Sequence, residues 1–500
     1  MDGMKKQDLD ALVNLCSRRG IVMPAFGIYG ELSGFYDYGP IGVRIKHNIE
    51  SAWRRRFIER MGNLEIESTI VGHEKVYDAS GHLKTFTDPI TTCSNCKAVY
   101  RTDKLLEAYF SKNGKKEEAD KVKSYSAEKL SEELERLGLK CEKCGSTLKG
   151  VTTFNLMLSS KIGPLGLITG YLRPETAQGI FVNFKYLYRV YGMKLPGGIG
   201  QAGKVFRNEI SPRQILIRLR EFSQMELELF FDPERDSDSV NGIAVDWSSL
   251  ETKINFISEK DQKGGEAKVS RMSIAECVSE GYIPNRLMGY AIAEEVVFLK
   301  ELGFKEDEFR FRQLLKDELP HYSRGNVDLE VSIGNSWEEA AGNAYRTDFD
   351  LKSHQSMSNQ DMSVVDMDKK VLPHVVEVSL GLDRLFWGLL HNSLYRDGKR
   401  DWDVLLLADD IAPYKYALFP LQKDDKIIAK SVEIGNLLKS KGIYPYYSAS
   451  GSIGKRYAKA DEVGIPMAIT VDYDTLENGT VTIRKALDGS QTRVKFEDIR

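Results

Sequence analysis

The chain has 500 residues, beyond the size at which one hydrophobic core stops growing, so at least two folded units are expected. Hydrophobic residues make up 42% and charged residues 29%, which excludes a disordered chain, and the net charge of -3 requires any nucleic-acid contact to come from a local basic surface. No run approaches eighteen apolar residues and Met1-Asp2-Gly3-Met4 leads into no signal-type stretch, so neither membrane insertion nor secretion is supported and a cytoplasmic location is expected.

In chain order, Asp8 to Arg19 reads as a short amphipathic helix with Leu9, Leu12, Val13 and Cys16 on one stripe. A turn-dense segment rich in Gly and aromatics, residues 27–40, leads into a helix from Val43 to Arg60, with Pro40 just before it. The run Arg54-Arg55-Arg56 reads as a solvated helix face, with RNA contact as the alternative. The 97–140 stretch is dominated by Lys and Glu, and its Leu130, Leu134 and Leu137 recur at helical spacing before Gly138, as in an inserted helical arm. From Gly150 to Asp232 short apolar strands broken by Gly and Pro predict an antiparallel sheet, including the alternating Ile215–Arg220 segment and the run Leu227-Glu228-Leu229-Phe230-Phe231. Residues 233–325 read as a second, helical or mixed insertion containing a helix from Leu287 to Leu302. After Trp402, strands at Val404–Ala408 and Pro466–Val471 alternate with a helix over Asp425–Lys441, which predicts a separate α/β domain over 401–500.

Cys93-x-x-Cys96 and Cys141-x-x-Cys144 offer four thiolates in two knuckles. Each short loop can present both sulfurs to one ion, and with all four positions filled by protein the zinc would be structural. Cys16 and Cys277 read as inert buried thiols. The string Gly198-Ile199-Gly200-Gln201-Ala202-Gly203-Lys204 satisfies both the dinucleotide and the phosphate-loop patterns. Val205 nevertheless stands where a Ser or Thr would hold magnesium, and Val205-Phe206-Arg207 reads as a strand where either motif needs a helix. Phe206-Arg207-Asn208-Glu209, a loop with Pro212 and Arg213, and then Arg218, Arg220, Glu221, Phe222 and Glu226 read as two strands joined by a basic loop. Such a pair is either a nucleotide site, with forked arginine donors and a stacking aromatic, or a salt-bridged surface hairpin. Glu377-Val378-Ser379 followed by Gly381-Leu382-Asp383-Arg384 ends a strand and enters an apolar helix.

Taken in order, these strings resemble the glycyl-tRNA synthetase family of class II aminoacyl-tRNA synthetases along most of the chain. Gly34-Phe35-Tyr36-Asp37-Tyr38-Gly39-Pro40 is similar to its first motif, at the dimer interface. Leu172-Arg173-Pro174-Glu175-Thr176-Ala177-Gln178-Gly179-Ile180-Phe181 is similar to its glycine-site strand and loop, Phe206–Glu226 to motif 2, and Glu377–Arg384 to motif 3. Gly454-Lys455-Arg456-Tyr457 and the string from Ala460 to Pro466 resemble its anticodon-binding domain.

The resemblance implies an α+β fold: a class II catalytic domain over 1–400, built on an antiparallel sheet flanked by helices, with a zinc-binding arm inserted at 88–150, then an anticodon-binding α/β domain over 401–500. It implies attachment of glycine to tRNA(Gly) through a glycyl-adenylate, with ATP and Mg2+, by a homodimer. The catalytic group would be Arg207, Glu209, Arg346 and Arg384. Arg207 would bind the α-phosphate, Glu209 the adenine edge and Arg218 the γ-phosphate; Phe222 and Arg384 would sandwich the adenine, and Glu339 would help hold magnesium. Glu175, Glu226, Glu377 and Ser379 would surround the glycine ammonium, with Arg346 facing the activated carboxylate. Two positions depart from the family pattern: Ala341 stands at a usual acidic position, and Gly325 replaces a usual aspartate. A sister class II synthetase, or a non-catalytic nucleic-acid-binding relative, are the competing readings.

Overall fold

The computed structural model describes residues 4–212, 215–262 and 267–500. Arg213 lies outside the described residues, as do Met1, Asp2 and Gly3. The central element is a nine-stranded sheet in the order Ser270–Ser273, Lys253–Ile257, Phe309–Gln313, Asn326–Ile333, Ser336–Thr347, His374–Gly381, Glu221–Phe231, Gly197–Phe206 and Leu64–Glu65. From Phe309–Gln313 to Gly197–Phe206 every neighbouring pair is antiparallel, as the sequence pattern predicts.

Side chains alternate across a sheet, so one period-2 set of residues faces the core and the other faces the site. Met225, Leu227 and Leu229 with Val376, Val378 and Leu380 form the core face, all fully buried. Helices Pro40–Trp53, Arg286–Leu302 and Leu382–Asn392 pack beneath it. Pro40 is itself the first residue of its helix, where its missing N–H costs nothing. That helix continues through Arg54–Arg60 as a wider π-helical turn, which agrees with the reading of one helix to Arg60. Within it Arg54 pairs with Glu50 and Glu65, and Arg56 with Glu294 and Glu301, so two members of the basic run are held by carboxylates of this chain. On the opposite face helix Ala177–Tyr191 covers one end of the sheet, with Phe184 stacked on Phe230 at 4.0 Å between ring centroids.

The double motif match at residues 198–204 is a central strand, Gly197–Phe206, with no helix after it. Its glycines answer to packing: a Cβ on Gly200 would come within 2.5 Å of Ile58, and one on Gly203 within 2.3 Å of the Arg173 guanidinium.

Three expectations are corrected. The alternating Ile215–Arg220 segment is a turn, not a strand, because Ile215 takes a left-handed φ of 52° and Arg220 is tied back to Ser33 and Gly34. Its apolar members are buried where the turn folds inward. The 233–325 stretch does not form a body apart from the sheet: it supplies three strands at the sheet's edge and the buried helix Arg286–Leu302. The strand read at Val404–Ala408 is shorter, Asp403–Leu405, and pairs with Leu394–Asp397, which also pairs with Met4–Lys6. It joins none of the C-terminal sheet, whose order is Tyr446–Tyr447, Tyr416–Pro420, Met467–Val471, Thr480–Lys485 and Gln491–Lys495, parallel in its first pairs and antiparallel after.

The 97–140 arm folds as helices Thr102–Lys112, Lys116–Lys121 and Ala127–Arg136 around a small core with Leu106, Phe110 and Leu130. Among the described residues no helix is long and apolar enough to cross a membrane.

Candidate active site

The strands that end in Phe206 and begin at Glu221 stay paired to that end, and a cavity of about 320 Å³ is lined by residues of the second strand and of the turn between them. Ten of the eleven residues assigned to catalysis, ATP or glycine line it: Glu175, Arg207, Glu209, Arg218, Phe222, Glu226, Glu339, Glu377, Ser379 and Arg384. Sequence positions more than 150 residues apart are thus brought to one wall by sheet register, since Glu226 stands opposite Ser379 and Gln224 opposite Gly381.

One end of the cavity is basic and aromatic. The Arg207 guanidinium lies 5.2 Å from the centre of the Phe222 ring and 5.4 Å from that of Phe86, while its Nε donates to the Pro174 carbonyl at 3.2 Å. Arg218 stands 3.9 Å from the Glu209 carboxylate. Arg384 donates to the carbonyls of Ile217 (3.0 Å) and Glu339 (2.6 Å), which fixes it at the cavity edge with its guanidinium 3.7 Å from the Glu339 carboxylate. Forked donors beside an exposed ring face suit a polyanionic ligand with a planar base. Asp328 and Glu339 both line this cavity, and burial, with Glu339 next, pushes the Asp328 carboxyl up to about 8 against the pull of Arg312. A divalent cation shared with a nucleotide's phosphates would relieve that crowding, and such ions characteristically take only one or two protein carboxylates.

The other end is acidic. Glu226 is buried and accepts from the Thr176 N–H (2.6 Å), the Thr176 hydroxyl and the Ser379 hydroxyl (2.7 Å). Burial and then Glu175 nonetheless hold its carboxyl above the usual range. Glu175 accepts from Gln178 Nε2 at 2.8 Å and faces His82 Nε2 at 3.4 Å. Burial alone would raise its carboxyl, but His82, Arg346 and Gln178 together keep it well below the carboxylate range. Glu377 is pushed up to about 8 by burial, against the pull of Arg346 and with Glu226 and Glu175 adding to it. Three carboxylates converging at the cavity wall would hold a small ammonium group.

Arg346 is the exception. It is 1% exposed and lies outside the cavity wall, behind Glu377. Its Nε and Nη2 donate to Asp350 at 2.7 and 2.9 Å, its Nη1 donates to Glu377 at 3.0 Å, and its plane lies 3.9 Å from the centre of the Tyr322 ring. Its donors are turned to these carboxylates, and of the eleven assigned residues it is the one that does not line the cavity.

Sequence reading missed Thr176, Gln178, Tyr322, Asp350 and His82, which position the acidic end. Gln178 joins Glu175 to Asp350 (3.1 Å), and its Oε1 accepts from His354 Nε2 at 2.9 Å. A signal existed for Gln178, three residues after Glu175 at the start of a helix, but none for Asp350 or Tyr322, whose partners lie far along the chain.

Away from the cavity, the four sulfurs of Cys93, Cys96, Cys141 and Cys144 all lie within 4.8 Å of one another, with 3.5 Å between Cys93 and Cys144 and 3.4 Å between Cys96 and Cys141. Tetrahedral zinc with ~2.3 Å bonds to sulfur needs separations of roughly 3.8 Å, so the donor set fits that ion. Cys16 and Cys277 are buried, and burial pushes both thiols up to about 12, as expected of inert residues.

The chain is similar to known proteins over most of its length. Residues 415–500 match the family model for the anticodon binding domain. A solved chain of Giardia lamblia prolyl-tRNA synthetase in complex with prolyl-adenylate superposes with a TM-score of 0.59 at 14% identity, over 99% of this chain and 75% of that one, which shows a shared fold. Glycine–tRNA ligases of Methanothermobacter thermautotrophicus (34% identical, 97% of each chain), Methanocaldococcus jannaschii (36%, 99% of this chain and 98% of the relative) and Pyrococcus horikoshii (37%, 98% and 96%) are similar almost from end to end. With that identity over nearly the whole of both partners, the chain belongs to the glycine–tRNA ligase family.

Proposed function

We propose that the chain activates glycine with ATP and esterifies it to the 3′-hydroxyl of the terminal adenosine of tRNA(Gly). The observation that carries this reading is a single cavity with an arginine and aromatic end joined to a carboxylate end. A nucleoside triphosphate and an amino acid laid across it would meet with their reacting atoms between the two ends. The glycine carboxylate oxygen bonds to the α-phosphorus, the bond from that phosphorus to the bridging oxygen breaks, and pyrophosphate leaves. The 3′-hydroxyl then attacks the adenylate carbonyl and AMP leaves. Neither step needs a protein nucleophile, so the side chains act by positioning and by charge complementarity.

In this reading Arg207 holds the α-phosphate, Arg218 the γ-phosphate, Glu209 the adenine edge, and Phe222 and Arg384 the two faces of the base. Glu175, Glu226, Glu377 and Ser379 receive the ammonium. Arg346 acts from behind, fixing Glu377 and Asp350. Glu339 and Asp328 would hold Mg2+, which would supply charge screening for the pyrophosphate. The four cysteines hold a structural Zn2+ that closes the arm, which metal analysis of the purified chain reads directly.

Domain limits at 1–400 and 401–500, a cytoplasmic location and a homodimer complete the proposal. The exposed Phe26, Ile28, Tyr29 and Leu32, next to the Gly34–Pro40 string, favour the dimer. Amino-acid-dependent ATP–pyrophosphate exchange, run with each of the twenty amino acids in magnesium, tests the whole. Exchange with glycine alone is expected; exchange with another amino acid instead makes this a sister activity, and none with any removes the enzyme reading.

A further inference from the structure

Beneath the acidic end of the cavity lies a fifth buried carboxyl that the reaction above does not use. Glu228 is 0% exposed, two residues from Glu226 on the same strand and therefore on the same face, and it stands opposite Glu377 across the strand pair. It does not line the cavity; it sits one layer behind residues that do.

Its surroundings are crowded with charge. Glu377 faces it from the adjoining strand, Arg346 from the strand beyond that one, Glu226 from its own strand and Asp350 from the helix Phe349–Ser358. Counting Glu175, this buried network carries five carboxyls against the Arg346 guanidinium, with His82 at its outer edge. Five ionised carboxylates cannot share so dry a space with one arginine, so the network keeps protons.

Hydrogen bonding selects where a proton stays. Glu175 has Gln178 and His82, Glu226 has Thr176 and Ser379, Glu377 has Arg346, and Asp350 has Arg346 twice and Gln178. Neither oxygen of Glu228 has a donor among the described residues. An ionised Glu228 would be an uncompensated buried charge, whereas a protonated one brings its own donor and needs only an acceptor. Glu377 is placed to be that acceptor, since opposed side chains on one sheet face have their Cβ atoms about 4.5–5.5 Å apart.

We propose that Glu228 is a positioning residue for glycine that works as a neutral acid, keeping its proton and donating a hydrogen bond to Glu377, so that Glu377 rather than Glu228 is the carboxyl that ionises to meet the incoming ammonium. Burial, followed by Glu377, holds the Glu228 carboxyl well above its ordinary range, in the same direction. Glycine recognition then depends on a carboxyl that never touches glycine.

This inference rests on the glycine-activation reading, and the wild-type chain separates the two. Wild-type enzyme without glycine-dependent exchange sinks that reading, while the inference is judged only from variants against an active wild type. Glu228→Leu removes the donor and is expected to raise the KM for glycine about tenfold, with kcat and the KM for ATP little changed, as for a lost ground-state contact. Glu228→Gln keeps shape, neutrality and a donor, and is expected to rescue glycine KM to within about threefold of wild type. A Gln variant as poor as the Leu variant would mean that the ionised form matters, and a Leu variant equal to wild type would mean that Glu228 positions nothing; either overturns the proposal. If circular dichroism shows Glu228→Leu unfolded, Glu228→Gln alone decides, rescue supporting and impairment overturning.

Discussion

The Arg207 side chain lines the cavity and is held by a hydrogen bond to the Pro174 carbonyl and by two aromatic faces, and among the described residues the rest of its guanidinium has no partner, which leaves it available to the phosphate of the proposed reading. Truncation should therefore cost chemistry far more than stability. Arg207→Ala is expected to lower glycine-dependent exchange by roughly 100-fold or more, the size of a lost charge-stabilising donor, with a melting curve close to wild type. Wild-type exchange in the folded variant would remove Arg207 from the reaction. At this scale the sequence was informative wherever a site residue sits in a string with its neighbours, as in Arg173-Pro174-Glu175-Thr176 or Glu377-Val378-Ser379. Period-2 alternation puts Glu226 and Glu228 on one face of the strand, but a lone acid inside the apolar run 227–231 gives no hint of its partners. What sequence spacing could not show is the direction in which a long side chain turns. Arg346 could have pointed into the cavity, and only Asp350, one helical turn on, and the stacked Tyr322 draw it behind Glu377.

Between elements, the contact that depends most on a single proton joins helix Arg286–Leu302 to the strand Ser336–Thr347. Asn343 points away from the cavity into the apolar core face, where its Nδ2 donates to Glu295 Oε2 at 2.8 Å. Among the described residues Asn343 Oδ1 and Glu295 Oε1 are both without partners, and one proton on Glu295 satisfies both by closing a second hydrogen bond. Burial pushes the Glu295 carboxyl up to about 8 against the pull of Asn343, so the folded state holds this proton more tightly than an unfolded chain does. An acid raised on folding contributes a stability that declines as pH climbs from the unfolded value, near 4.5, to the folded one, near 8, at up to about 1.4 kcal/mol per pH unit. Glu295→Gln supplies the second donor permanently. Its melting temperature should match wild type near pH 5 and exceed it progressively up to pH 8, and parallel curves over that range would show that Glu295 is not protonated in the fold. The elements themselves were legible from apolar periodicity, because the sheet and its helices bury one clean face each. The Ile215–Arg220 turn was not, since its alternation of apolar and cationic residues comes from a fold-back in which Leu216, Ile217, Arg218 and Leu219 line the cavity while Arg220 is tied to the carbonyls of Glu209 and Ser33.

For the whole molecule, the question is how a C-terminal domain that matches an anticodon-binding family stays in register with a cavity on a different sheet. Two helix C-termini meet where the parts join. Helix Leu9–Arg19 ends in Arg18 and Arg19, favourably placed for its dipole, and helix Ile453–Glu462 ends in Glu462, which is unfavourable for its own. The buried Glu462 carboxylate is tolerated there because Arg18 donates to it at 2.6 Å and Arg19 grips its other oxygen. Next to it Asp461 takes both arms of Arg484 and the Trp402 indole N–H, which anchors the connecting segment to the C-terminal sheet. The alternation of strands and helices after Trp402 led to the expectation of a separate domain there, but these long-range charge pairs follow no local pattern and appear only once the chain is folded. On the proposed reading, removing Glu462 should loosen the joint and leave the cavity alone. Glu462→Ala leaves two arginines that are partly exposed and can hydrate, so the stability cost is about 1–2 kcal/mol, less than for a fully buried pair. Glycine-dependent exchange, which needs no tRNA, should stay at the wild-type rate, while the kcat/KM for charging tRNA(Gly) falls roughly tenfold as the two contact regions lose their fixed spacing. A parallel loss in both assays would mean that the joint supports the cavity itself, and unchanged charging would mean that the C-terminal domain is held in register by its other contacts, such as Arg44 against the Tyr414 ring at 4.2 Å and Asn48 on the carbonyls of Ile411 and Ala412.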